Sequence, residues 1–392
     1  MLFLLFLACA LAQLAPVTSL PGIGIPATRI VSGFVTTNTT FGSRLFVVHV
    51  DSQSDPETDP TILWLQGGPG CSSMFGLFVE LGPYIIHSDG SFVSNPWAWT
   101  RNANLVVVDS PPGTGFSTTN SSGGYDSSER AVALDLYRAL QGLFAYNGGV
   151  FRRPASPLYI AGESYAGKYV PFLAATLLNT TVAPGDYKIP LQGLLLGNAW
   201  VAPQAQMKSY VPYLQLHGLC SAADAAWAEA QYPQFDALLA EGNYTAAADI
   251  DNGILARLQA DGNISDPYNI LDNPDPTGPR IAALQTYLTS AEVQRALNVA
   301  PLNPGFVFCG QAAYSALSTD EERFAGFQLR WAINSGLAVT AYNGDLDLIC
   351  DWIGTRNYML ALGFNGQQAF NAAPNVKWTT ISGDIGGLVQ TA

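Results

Sequence analysis

The stretch LYIAGESYAGKY, residues 158–169, decides the fold. Leu158–Ala161 is a short apolar run with the β-formers Tyr159 and Ile160. It leads into Gly162-Glu163-Ser164-Tyr165-Ala166-Gly167 and then into a helical pattern reaching about Leu178. Small residues on both sides of the serine permit a strained strand-to-helix turn that lifts the hydroxyl clear of a sheet. The same turn sets that hydroxyl at a helix N-terminus, where backbone N–H groups favour developing negative charge. Ala166 stands where the usual G-x-S-x-G pattern has its second glycine. The alternative reading is an ordinary tight turn with no chemistry attached.

Working outward, further apolar runs bounded by turn residues lie at Leu45–Val50, Thr61–Leu65, Leu105–Asp109, Leu191–Leu196 and Leu337–Tyr342. Continuous apolarity at this length suits strands buried on both faces, as in a parallel sheet. Asp126-x-x-Glu129 resembles a capping arrangement and predicts a helix through about Tyr146. Strands alternating with helices indicate an α/β, doubly wound, mostly parallel sheet. From about Pro203 to Ala316 the chain is Ala-rich and helical in period, broken by DNPDPTGP at 272–279. This stretch reads as a helical cap inserted into a core formed by 13–202 and 317–392.

Composition excludes several function classes. Lys and Arg number 17 against 30 Asp and Glu, a net charge of −13, with no cationic run to hold nucleic acid or an anionic membrane. At 48% hydrophobic, the 392 residues can bury a large core. Residues 2–12, LFLLFLACALA, form an apolar run far shorter than the ~20 residues of a membrane helix, and end in a small-x-small signal. They predict a secretory leader, residues 1–12, cut after about Ala12. Five Asn-x-Ser/Thr sequons, at Asn38, Asn120, Asn179, Asn243 and Asn263, then predict a glycosylated lumenal or extracellular protein. Removal of the leader takes Cys9 and leaves Cys71, Cys220, Cys309 and Cys350, which allow three complete pairings. No CxxC or Cys/His cluster suggests a metal.

Two more motifs follow strand signals. In Trp64-Leu-Gln-Gly-Gly-Pro-Gly-Cys-Ser-Ser73, adjacent glycines let backbone N–H groups face an oxyanion without interference from Cβ. Asp109-Ser-Pro-Pro-Gly-Thr-Gly-Phe-Ser117 contains GxG but lacks the helix-opening GxGxxG of a nucleotide site.

GGPGCSS, DxPxGTGFS, GESYAGKYVP and YNGDLDLICDW, in this order, resemble the serine carboxypeptidases of the α/β-hydrolase fold. The wording WLQGGPGCSSMFGLFVELGPY is most similar to the vitellogenic-carboxypeptidase-like branch. The resemblance implies removal of C-terminal residues from peptides through an acyl-enzyme, with no cofactor. It implies Ser164 as nucleophile, Asp347 as triad acid, and the backbone N–H groups of Gly68 and Tyr165 as oxyanion hole. Gln66, Gly67 and Glu163 would hold the substrate carboxylate, with Glu80 hydrogen-bonded to Glu163. A Cys71–Cys309 disulfide and a free Cys350 beside the pocket are implied too. Three carboxyl groups in one small space cannot all ionise, so binding is expected to weaken as pH rises, giving an acidic optimum. That suits a lysosome, vacuole or acidic exterior.

The family orders its triad Ser…Asp…His. No histidine follows position 217, and the chain closes on GDIGGLVQTA, 45 residues (392 − 347) past Asp347. His49 lies among apolar strand residues, His87 in a loop and His217 at a predicted helix end. The family's final strand and its GHMVP-like loop have no counterpart, which predicts an uncovered sheet edge. Three readings follow: part of a longer carboxypeptidase, a non-catalytic relative that binds peptides or a protein, and an acyltransferase using the same acyl-enzyme.

Overall fold

The computed structural model describes residues 12–391 apart from 273, 301, 303 and 304. All but the last residue of the expected leader therefore lies outside the described residues. Ala12 opens strand β1 (Ala12–Val17), paired antiparallel with β2 (Ile30–Asn38). Strand β3 (Ser43–Val50) returns beside β2. The sheet continues with β4 (Thr61–Leu65), while β5 (Tyr84–Ile86) and β6 (Phe92–Ser94) form a separate hairpin. Next come β7 (Asn104–Val108), β8 (Leu158–Ser164), β9 (Leu191–Ala199) and β10 (Ala338–Tyr342). A second hairpin, β11 (Val376–Thr379) and β12 (Ile385–Val389), follows them.

The eight-stranded order is β1-β2-β3-β7-β4-β8-β9-β10. Pairing is antiparallel from β1 to β7 and parallel from β7 to β10. Every residue of β7, Asn-Leu-Val-Val-Val, is buried because the strand is covered on both faces. Val106 and Val108 enter one core with helices α1 (Glu129–Ala145) and α2 (Ala166–Asn179), while Leu105 and Val107 enter the other. The apolar runs of β3, β4, β7, β8 and β9 thus serve two cores by simple alternation, whereas the run at Leu337–Tyr342, expected to be buried on both faces, is an edge strand whose residues alternate between exposed and half-buried.

Helix α1 differs at its start from the sequence expectation. Ser128, extended and directly before the helix, is the cap, its hydroxyl accepting from the Ala131 amide. Asp126 lies too early to reach that amide. Its carboxyl is instead buried near Asp135 and Glu129, and burial pushes it up to about 8.

Between β9 and β10 the described chain contains only helices. This stretch divides in two. Leu284, Leu288, Val293, Leu297 and Phe306 pack in the second core, against Phe34, Phe46 and Val107 of the sheet. The earlier helices, from Pro203 to Asp261, contribute Tyr210, Phe235 and Ile254 to the core on the α1/α2 side. Among the described residues no helix is long and apolar enough to cross a membrane.

Candidate active site

Strand β8 carries Ser164 at its C-terminal end, and α2 begins two residues later. Ser164 adopts φ 59°, a left-handed conformation that a non-glycine residue holds only when its surroundings impose it. The surroundings here are tight. A β-carbon on Gly162 would lie 2.8 Å from Ala166 Cβ and Val170 Cγ2, and one on Gly167 would lie 2.7 Å from the Trp200 nitrogen. The Trp200 amide donates to the Ser164 carbonyl at 2.8 Å, pinning the turn to the end of β9.

The glycine-rich loop after β4 presses against this elbow. A β-carbon on Gly67 would sit 2.6 Å from the Tyr165 amide nitrogen and 2.8 Å from Ser164 Cβ. Gly68 follows at φ 117°, a left-handed conformation that favours glycine, with the Gly70 and Cys71 amides close around it. The Cys71–Cys309 disulfide holds this loop to the far end of the helical stretch, aided by Gly310 N–H donating to the Gly70 carbonyl at 2.8 Å. The Asp109 motif turns out to be scaffold. Its buried carboxylate accepts from Ser72 Oγ at 2.6 Å, the Ser73 amide at 3.0 Å and the Phe116 amide at 2.9 Å. Burial nevertheless raises Asp109 to about 6.

Beside the serine is a cluster of acids. Gln66 Nε2 donates to Glu163 Oε1 at 3.1 Å, and Trp64 Nε1 holds Gln66 Oε1 at 3.0 Å, fixing the amide's orientation. Glu80 ends a π-helical turn, Gly76–Glu80, and faces Glu163. Burial and the neighbouring Glu163 charge raise Glu80 well above the ordinary range; burial raises Glu163 as well. The pair therefore holds a proton, with neutral Glu80 donating to Glu163.

Asp347 is 7% exposed, and burial pushes it up to about 7. Asn198 Nδ2 donates to its Oδ2 at 2.8 Å, and the amides of Ile349 and Cys350 donate at 3.0 and 3.3 Å. Asn198, at the end of β9 with φ 38°, is a positioning residue that sequence reasoning missed. So is Tyr165 as a side chain: its hydroxyl donates to buried Glu129 at 2.8 Å. The only available signal for Asn198 was its place just past an apolar strand run. Cys350 is buried and unpaired, its thiol pushed up by burial, while Cys220 is half-buried and unpaired among the described residues.

The histidines are engaged elsewhere. His49 stacks on Phe151 at 3.9 Å inside the core, and burial lowers it to about 3, so it stays neutral. His87 sits in the turn of the β5/β6 hairpin, and His217 caps a helix end beside Tyr213. None hydrogen-bonds Ser164 or Asp347. Of the sequons, Asn120, Asn179, Asn243 and Asn263 are exposed and Asn38 is half-buried. Among the described residues no group of three or more His, Cys, Asp or Glu side chains could hold a metal ion.

Comparison with known proteins agrees with this architecture. The serine carboxypeptidase family model matches residues 21–392. A Dictyostelium discoideum serine carboxypeptidase S10 family member is 32% identical, over 90% of this chain and 85% of its own. The probable serine carboxypeptidase CPVL of Mus musculus is 33% identical over 92% and 75%, and the vitellogenic carboxypeptidase of Aedes aegypti 30% over 92% and 76%. The crystal structure of a prohormone-processing carboxypeptidase from Saccharomyces cerevisiae superposes with TM-score 0.80 at 23% identity, covering 95% of this chain and 86% of that one.

Proposed function

Because this chain belongs to the serine carboxypeptidase family, we propose that its elbow is the site at which peptides are held by their free C-terminus for acyl transfer to Ser164. The observation that carries this reading is the contact of Gly67 with Ser164 and Tyr165, immediately beside the Gln66–Glu163–Glu80 cluster. Ser164 Oγ attacks the last peptide carbonyl, and the Gly68 and Tyr165 N–H groups take the developing oxyanion. The serine proton passes to the departing nitrogen as the C–N bond breaks and the terminal amino acid leaves, and water then hydrolyses the ester and returns a proton to the serine oxygen. Asp347 is the acid that would orient a histidine base. The substrate carboxylate accepts hydrogen bonds from Gln66, the Gly67 N–H and a protonated Glu163, which itself accepts from neutral Glu80. The setting is an acidic lumen or exterior, with glycans on the five sequons and the cap, residues 203–316, contributing to the pocket.

A second reading is favoured by one observation: all three histidines in these 392 residues are committed away from Ser164. In that form the chain binds peptides with little turnover, since loss of the base in such triads costs roughly a millionfold in rate. An acyltransferase would use the same ester and an alcohol acceptor.

Purified chain is tested with an N-blocked dipeptide and a fluorophosphonate probe, with Ser164→Ala as control. Slow labelling, with peptide bound, is expected of these 392 residues; rapid labelling or turnover by them would overturn the second reading. Affinity for the dipeptide is expected to fall from pH 5 to pH 8 as the carboxyl pair loses its proton. Constant affinity across that range rules out the Glu163–Glu80 assignment.

A further inference from the structure

Behind the elbow, on the far side of Tyr165, is a cavity of about 240 Å³ that the hydrolytic reading leaves unused. Its wall includes Glu129, Lys168, Phe172, Tyr244, Phe324 and Phe327. Lys168 and Phe172 are one helical turn apart on α2 and so face the same side. Two of the polar groups are almost completely removed from water: Lys168 is 1% exposed and Glu129 2%. Glu129 Oε1 accepts from the Tyr165 hydroxyl, but its buried Oε2 has no partner. Lys168 Nζ donates to the Arg323 carbonyl and has two further N–H groups. Asp320, also on the wall, is already occupied by Arg323 and the Glu129 amide. The Arg323 guanidinium lies over Tyr244 at 4.7 Å.

We propose that this cavity is a binding site for a free α-amino acid with an apolar or aromatic side chain. The ligand ammonium would donate to Glu129 Oε2, and its carboxylate would accept from Lys168. Phe172, Phe324 and Phe327 would cover the side chain. An unpartnered buried carboxyl oxygen is costly, and a ligand donor removes that cost. Burial raises Glu129 and lowers Lys168, and the opposite charge each offers the other only partly offsets this. A zwitterion brings the opposite charge to both at once. A lone amine or a lone carboxylate relieves only one. The volume is below the ~300–1,000 Å³ of pockets for drug-sized ligands, which favours a metabolite of this size. Lys168 also faces Asp320, Glu321 and Glu322, an acidic surplus that disfavours ligands with net negative charge. A ligand on Glu129 would act on Tyr165, whose amide lies at the elbow. That consequence rests on the proposed hydrolytic reading; the binding does not.

The test is calorimetric titration of the full chain at pH 7 with L-phenylalanine, phenethylamine and 3-phenylpropionate. One equivalent of phenylalanine should bind, with each single-charge analogue at least about tenfold weaker, the loss of one charge-assisted hydrogen bond. Glu129→Gln should weaken phenylalanine by a similar factor. Phe327→Ala, at a wall residue 60% exposed and therefore safe for folding, should weaken phenylalanine severalfold. Ser164→Ala and Glu163→Gln should leave this binding intact. The proposal is overturned by absent phenylalanine binding or by equal binding of either analogue. It is also overturned if Glu163→Gln abolishes the signal while Glu129→Gln does not, since that places the ligand at the peptide site.

Discussion

Strands β8 and β10 each deliver one candidate catalytic side chain, yet they hold it in different ways. Strand β8 lies between β4 and β9, and the serine at its end is fixed by contacts with no spare room. Strand β10 is the last strand of the sheet, bonded only to β9, and its residues alternate between exposed and half-buried. Asp347 beyond it is buried too, but its carboxyl is oriented by three hydrogen bonds. Among the described residues no strand pairs with the outer edge of β10. Close packing transmits small volume changes strongly, whereas a hydrogen-bonded carboxylate fails one donor at a time.

The largest effect should come from the clamp on the serine side. Replacing Cys71 and Cys309 by alanine opens a loop of 238 residues and should cost about 2–5 kcal/mol, read by urea unfolding. An unchanged midpoint would mean that the glycine-rich loop is held without its covalent tie.

Next is the pH dependence of stability, which probes both sides. A carboxyl raised in the fold contributes its full stabilisation below its unfolded value near 4. It loses that stabilisation as pH rises through its folded value. For Asp109, raised from 3.8 to about 6, the loss is about 3 kcal/mol, complete near pH 6. For Asp347 the loss continues to about pH 7. Melting temperature should thus fall from pH 4.5 to 7, and Asp109→Asn should flatten only the lower part of that slope.

Overpacking comes third. Gly67→Ala forces a β-carbon within 2.6 Å of the Tyr165 nitrogen and should cost about 1–3 kcal/mol by urea unfolding while weakening binding of the N-blocked dipeptide. Unchanged stability and dipeptide affinity would show that the loop can shift to make room.

Smallest is Asn198→Ala, which removes one donor from Asp347 and should cost about 1–2 kcal/mol. The carboxyl should rise further, since that hydrogen bond lowers it. If Asn198→Ala proves more damaging than Gly67→Ala, the contrast between the packed and the hydrogen-bonded side is wrong.

The same contrast explains what could be read in the sequence. Leu158–Ala161 and Thr61–Leu65 were legible because strands buried on both faces are apolar throughout. β1 and the β11/β12 hairpin were not, since an edge strand and an exposed hairpin leave no uninterrupted apolar run. Ser164, Gly67 and Gly68 stood out because only small residues fit there, and that restriction is written in residue type. Asn198 was missed, and Glu129 was read only as part of a capping arrangement, because each acts on a partner about 149 or 36 positions away, through one hydrogen bond that many sequences could supply.

The Cys71–Cys309 link also sets an order of assembly. Translation at ~5–20 residues per second separates the two cysteines by roughly ten to fifty seconds of synthesis. For the last 145 of those residues (309 − 164) the nascent chain already contains Ser164, but its glycine-rich loop has no anchor. The reactive constellation is thus completed late, by a partner made after the whole elbow, and an unfinished polypeptide carries the serine without the frame that would arm it.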